Sequence, residues 1–216
     1  MNQRTFKAAL FDLDGVVFDT EKQYSIFWGG QFRKYYPQSS EMEKKIKGMT
    51  LVQIYDEYFP DEARQKQITA ELDAFEQDMD YEYVVGFERF LKDIRKNGVK
   101  TAVVTSSNRA KMDNVYARHP EFKDMFDAIL TSEDFSESKP SPDCYQTAAR
   151  RFGLKKEECV VLEDSFNGLK SGQAAKMFVV GLSTTNAPEA IKPYSNAVIA
   201  DYEGVDYITM CQLVKG

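Results

Sequence analysis

Cysteine is scarce: Cys144, Cys159 and Cys211 are the whole complement of a 216-residue chain. They show no C-x-x-C spacing, and any disulfide scheme leaves one over. A disulfide-stapled scaffold is excluded and three reduced thiols are expected. Long apolar runs are also missing. The best N-terminal candidate for a signal peptide, Phe6 to Phe11, contains Lys7 and runs straight into Asp12. Elsewhere the longest runs resemble Met177 to Leu182, far short of the ~20 residues a membrane span needs. A soluble, cytoplasmic protein with no membrane partner is expected. Positive charge is in deficit, with 28 Lys+Arg against 34 Asp+Glu and a net charge of −6. That balance argues against a nucleic-acid partner, which would call for a basic patch. Repeats and low-complexity tracts are absent. Hydrophobic residues at 43% and charged residues at 29% exclude wholesale disorder. The single histidine, His119 before Pro120, reads as a surface residue.

What is present is a regular alternation. Short apolar runs at Ala8–Phe11, Thr101–Val104, Phe126–Leu130, Cys159–Leu162, Phe178–Val180 and Ala197–Ile199 are each bounded by turn or acidic residues. Runs of that length suit strands of a sheet covered on both faces. Helical patterns lie between them. Phe87, Phe90, Leu91 and Ile94 repeat at helical spacing before Asn97-Gly98. Ser141-Pro142-Asp143 opens a second helix running to Phe152, and Ser165 to Ala175 forms a third. This pattern predicts a parallel α/β sheet covered by helices on both faces, with right-handed crossovers.

One stretch breaks the alternation. From about Thr20 to Tyr83 only helical patterns occur, such as Tyr24/Phe27/Trp28/Phe32 and Ile68/Leu72/Phe75/Met79. The stretch reads as an inserted helical bundle with the aromatic stripe as its core. The expected division is a core of residues 1–17 and 86–216, and an insertion of residues 18–85.

In open α/β sheets, sites form beyond the carboxyl ends of strands. The first run is followed by Asp12-Leu13-Asp14-Gly15. Two carboxylates there are costly unless a cation joins them, and oxygen ligands suit Mg²⁺. The second strand leads into Thr105-Ser106-Ser107-Asn108, hydroxyls and backbone N–H groups at the start of a helix, which together make an anion cradle. Lys139, in Ser138-Lys139-Pro140-Ser141, stands ahead of another helix as a fixed positive charge. The fourth run ends in Glu163-Asp164-Ser165, a second acidic pair at a second strand end. Each feature alone has a bland explanation as a cap, a turn or a surface charge. Together they provide acids for a metal, a nucleophilic carboxylate, hydroxyl donors and a lysine, the parts of a phosphoryl-transfer site.

The segments DLDGV, VVTSSN, KPSPD and LEDSFNG, in that order, resemble the four motifs of the haloacid dehalogenase superfamily. The helical insertion after the first of them resembles the cap of the β-phosphoglucomutase-like subgroup, and the resemblance implies a Rossmann-like α/β core with an inserted four-helix cap. The resemblance implies that Asp12 is the nucleophile and Asp14 the general acid and base. It implies that Ser106, Ser107, Asn108 and Lys139 hold the phosphoryl oxygens. The metal, Mg²⁺, would be held by Asp12, Asp14 through its backbone carbonyl, Asp164 and Glu163. With Asp14 present, dehalogenation is not expected.

Within that subgroup, β-phosphoglucomutase carries a histidine where this chain has Tyr24, and an arginine after its cap Lys-Gly where Lys47-Gly48-Met49-Thr50 runs into Leu51. The second grip that a mutase needs on a bisphosphate is therefore missing. A monomeric phosphatase of small phosphomonoesters, sugar phosphates foremost, is expected ahead of a hexose-phosphate mutase. A phospho-acceptor signalling module is a more distant alternative, since it would keep its acceptor aspartate on the third strand and lack the insertion. Tyr24 and Lys47 are the candidates for substrate selection from the cap.

Overall fold

The computed structural model describes residues 6–46, 49 and 51–215. Six strands form one sheet: β1 (Ala8–Phe11), β2 (Lys100–Val104), β3 (Ala128–Leu130), β4 (Cys159–Glu163), β5 (Phe178–Leu182) and β6 (Ala197–Ile199). Every pairing is parallel, in the order β3-β2-β1-β4-β5-β6. Each apolar run of the sequence supplies a strand. β3 starts two residues later than its run because Asp127 turns aside to accept from the Thr101 N–H at 2.9 Å and from Lys100 at 2.8 Å.

Four helices follow β1: α1 (Glu21–Tyr35), α2 (Met42–Lys45), α3 (Leu51–Tyr58) and α4 (Glu62–Asp78). Then come α5 (Phe87–Lys96), α6 (Arg109–Arg118), α7 (Phe122–Met125), α8 (Asp143–Arg151), α9 (Phe166–Ala174), α10 (Pro188–Ile191) and α11 (Tyr207–Lys215). Side chains alternate across the pleat, so β1 feeds two layers. Ala9 and Phe11 pack with the apolar faces of α5, α6 and α11, whereas Ala8 and Leu10 pack with those of α8 and α9. Phe11 meets Phe87 and Phe90 edge-on, at centroid distances of 5.6 and 6.3 Å. Each such fully buried ring contributes about 1.5–3 kcal/mol.

The insertion has its own core of Trp28, Phe32, Ile54, Tyr55, Phe59, Ile68 and Leu72, so the aromatic stripe of α1 packs inward as its periodicity predicts. Met79, assigned by pattern to the end of α4, lies beyond it in extended backbone and packs into the main core instead. The chain enters and leaves the insertion side by side. Phe18 bridges Tyr83 in antiparallel fashion, the Asp19 N–H donates to the Glu82 carbonyl at 2.8 Å, and that of Val84 to Val17 at 2.9 Å. Phe18 is fully buried between the rings of Tyr83 and Phe122, at 4.9 and 5.3 Å. His119 belongs to this pivot and not to the open surface: its ring lies 5.3 Å from that of Phe18, and Nε2 is 2.8 Å from the Tyr81 carbonyl oxygen.

Candidate active site

The strand order reverses at β1, which lies between β2 and β4, and the crevice opens there. Parallel register aligns Phe11 with Val103 on one side and Leu162 on the other. The next residue, Asp12, therefore comes level with the end of β2 and with Glu163 at the end of β4. Lys139 reaches into this point from the segment before α8 and is 4% exposed. Its three N–H bonds go to Asp12 Oδ1 at 2.7 Å, Glu163 Oε1 at 2.8 Å and the Val104 carbonyl at 3.0 Å.

Glu163 is fully buried and completely satisfied. Oε1 also accepts from the Tyr145 hydroxyl at 3.0 Å. Oε2 accepts from the backbone N–H groups of Asp164 and Ser165, both at 3.0 Å, and from the Ser165 hydroxyl at 3.1 Å. Two glycines make room for this acidic group. A Cβ on Gly168 would stand 1.6 Å from Glu163 Oε1, and one on Gly15, where φ is +70°, would stand 2.0 Å from Asp164 Oδ2.

Asp12, Glu163 and Asp164 bring one oxygen each within 4.8 Å of one another. Among the described residues only Lys139 is ion-paired into this trio, one positive charge against three carboxylates. Burial, opposed by Lys139 and reinforced by Glu163, pushes the Asp12 carboxyl up to about 7. Burial and the same acidic neighbours hold Asp164 well above the usual carboxylate range. Asp164 Oδ1 is buried with no hydrogen-bond partner. An orphaned carboxylate oxygen in an over-acidic, all-oxygen pocket fits a hard divalent cation such as Mg²⁺.

Asp14 points elsewhere. Its Oδ1 accepts from the Thr20 hydroxyl at 2.8 Å, and its Oδ2 lies 2.5 Å from Lys111 Nζ and 3.4 Å from Ser107 Oγ. Its carboxylate is outside the acidic trio. Of the three candidates in the second motif, Ser107 faces Asp14, whereas the Asn108 side chain is engaged as the N-cap of α6, accepting from the Lys111 N–H at 2.9 Å. Ser106 has an exposed side chain. The buried hydroxyl at that strand end belongs to Thr105, which accepts from the Ser107 N–H at 3.0 Å and keeps its own proton to donate. Tyr24 packs against both cores and donates to Glu76 Oε1 at 2.8 Å. Lys47 lies outside the described residues.

Two contributors escape the sequence reading. The loop after β5 closes over the acids: Thr185 donates to Asp164 Oδ2, Asn186 Nδ2 to the Asp164 carbonyl at 3.0 Å, and Thr184 to the Gly15 carbonyl at 2.5 Å. Ser183-Thr184-Thr185-Asn186 is a polar run at a strand end, so the rule that finds Asp12 also reaches it. Lys111 is the second. Its signal is its place on the apolar face of α6, beside Met112 and one turn before Val115.

Comparison with known proteins adds an independent line. Hexitol phosphatase A of Escherichia coli is 29% identical over 222 residues, covering 97% of this chain and 96% of its own. β-Phosphoglucomutase of Bacillus subtilis is 26% identical over 190 residues, covering 82% and 83%. The chloroplastic protein SUPPRESSOR OF QUENCHING 1 of Arabidopsis thaliana is 29% identical over 207 residues, 90% of this chain, which spans only 19% of that protein's length. Among solved structures, a HAD hydrolase of family IA, variant 3, from Entamoeba histolytica superposes with a TM-score of 0.85 at 19% identity, over 98% of this chain and 100% of its own. That likeness speaks for the fold, a parallel core with an inserted cap. The sequence pattern of the family described as haloacid dehalogenase-like hydrolases matches residues 9–182, from within β1 to the end of β5. With that match spanning Asp12, Lys139 and Asp164, the chain belongs to the haloacid dehalogenase-like hydrolase family.

Proposed function

We propose that the protein is a Mg²⁺-dependent phosphatase of small phosphomonoesters, sugar phosphates foremost, working through a phosphorylated Asp12. The observation that carries this reading is the meeting of Asp12, Lys139 and Asp164 at the β1/β4 switch point, with Asp164 Oδ1 lacking a partner. Asp12 and Asp164, with the backbone carbonyl of Asp14, would hold the ion, which supplies positive charge against the incoming phosphate. Glu163 fits a different task. With five donors on its two oxygens, it anchors Lys139 and is not a free ligand.

Lys139 lies on the nucleophile's own oxygen and is placed to neutralise the phosphoryl oxygens as they arrive. The Thr105 hydroxyl and the N–H groups that follow it cradle the same oxygens. Asp12 attacks phosphorus, and Asp14 gives its proton to the leaving oxygen. Asp14 then takes a proton from water as that water displaces Asp12. The seated insertion shields these steps from bulk water.

The named activities of hexitol phosphatase A and β-phosphoglucomutase bracket the choice. Tyr24, committed to Glu76, and Leu51, in place of a cation, favour transfer to water over transfer back to a sugar. The test is phosphate release from a panel of sugar phosphates, polyol phosphates and nucleotides, with and without chelator, by wild type and Asp12→Asn. Wild type should release phosphate only with Mg²⁺, and the variant should release none. Activity retained by Asp12→Asn removes the nucleophile assignment. Interconversion of hexose 1- and 6-phosphates faster than phosphate release selects the mutase reading.

A further inference from the structure

Lys111 sits one turn into α6 and is 5% exposed, with Nζ 2.5 Å from Asp14 Oδ2. Thr20, fully buried where the chain enters α1, grips the other oxygen of the same carboxyl at 2.8 Å. The ammonium also stands 4.8 Å from the centre of the Tyr24 ring on α1, whose hydroxyl donates to Glu76 on α4 at 2.8 Å. A buried ammonium is an expensive way to fill space. Desolvation costs several kcal/mol per ion, and methionine would occupy a similar volume without that penalty. Among the described residues, the ammonium meets the proposed proton-transfer group and a ring of the inserted helices that cover it.

We propose that Lys111 is a positioning residue for the phosphatase reaction. Together with Thr20 it fixes the orientation of the Asp14 carboxyl, and its own seat is completed by Tyr24 when α1 and α4 lie on the core. The inference rests on the reading of Asp12 and Asp14 given above. In the first transfer the bond from Asp12 oxygen to phosphorus forms and the ester P–O bond breaks. The Asp14 proton passes to the departing oxygen. In the second, water oxygen bonds to phosphorus, its proton passes to the Asp14 carboxylate, and Asp12 leaves with the electron pair of the broken bond. A carboxyl free to swing serves neither transfer, and a displacement of ~1 Å costs on the order of 10²-fold in rate.

The test exploits the leaving group. kcat/KM reports formation of the phosphoenzyme, and p-nitrophenolate departs without needing a proton whereas a sugar or alkyl alkoxide does not. Lys111→Met should lower kcat/KM about 100-fold or more on a sugar phosphate but less than about tenfold on p-nitrophenyl phosphate. Lys111→Arg, which keeps the charge, should restore part of the sugar-phosphate loss. Thr20→Val, close in shape, should show the same selectivity with a smaller loss. Equal losses on both esters, or none on either, overturn the proposal. If Lys111→Met does not fold, as judged by thermal unfolding, the Thr20→Val comparison decides by the same criterion. Wild type inactive on both esters would instead remove the phosphatase reading itself, so the two failures are distinguishable.

Discussion

Replacing Asp164 by asparagine should make the protein more stable in chelator and less stable than wild type in Mg²⁺. The reason is the crowding of charge at the switch point. Two unit charges 4.8 Å apart repel by about 3.5 kcal/mol at an effective dielectric of 20. Asp164 has two such neighbours, and Lys139, already paired to both of them, offsets only part of the repulsion. Raised carboxyl pKa values cap the cost by letting protons bind. Asparagine removes one charge, keeps an acceptor for Thr185 and sets an N–H donor where the orphaned oxygen stood. A net gain of about 1–2 kcal/mol follows, or about 2–8 °C in midpoint for a chain of this size. A cation at a hundred times its Kd adds about 2.7 kcal/mol to wild type, and the variant, short of a ligand, gains little. Thermal unfolding by circular dichroism of both proteins, in EDTA and in saturating Mg²⁺, reads the reversal. If the variant melts below wild type in EDTA, or both shift equally with Mg²⁺, the charge argument fails.

Two further outcomes follow from the same cluster. Gly168→Ala places a methyl on Glu163 Oε1, so Glu163 must leave Lys139 and Tyr145. A loss of about 1–3 kcal/mol in denaturant unfolding is expected, together with a fall in kcat of at least about tenfold; an active, equally stable variant would contradict the packing. Asp12 titrates near 7 when folded against 3.8 for the ordinary carboxyl. The folded, metal-free protein therefore holds that proton more tightly, and its stability is lost as pH rises through this window. In EDTA the midpoint difference between Asp12→Asn and wild type should widen from about pH 4 to about pH 7 and level off above, and a pH-independent difference would refute it.

The parts of this fold that were legible in the sequence are those fixed by local pattern. All six strands could be read because each carries a short apolar run, fully buried in β1 and half-buried in the edge strand β6, and α5 because its apolar residues keep one face. Asp12 and Asp164 could be found because strand ends deliver residues to one crevice, and Lys139 because a lysine next to prolines just ahead of a helix is held in place. The misses have physical causes too. The apolar run and β2 both end at Val104, but nothing local says which of the hydroxyls that follow turns inward: Thr105 is buried and Ser106 exposed. Asn108 offered the right group, but helix capping claims it. Lys111 was not singled out, since only the tertiary approach of Asp14 and Tyr24 makes its burial tolerable. His119 was hidden for the same reason, its partner being a carbonyl 38 positions away in sequence.

The side-by-side entry and exit at Phe18 and Tyr83 bear on how such a chain can diversify. Because the two ends of the insertion are a hydrogen bond apart, the core experiences it as a closed loop of no span. Closing a loop whose ends already meet depends only weakly on its length, about 0.6 kcal/mol for each doubling. Helices can thus be lengthened or exchanged between those two residues at little entropic cost to the sheet, so long as the contacts of Thr20 and Tyr24 with the core are kept. The fold thus separates the acids and the lysine gathered at the end of β1 from helices that enter and leave the core at a single point.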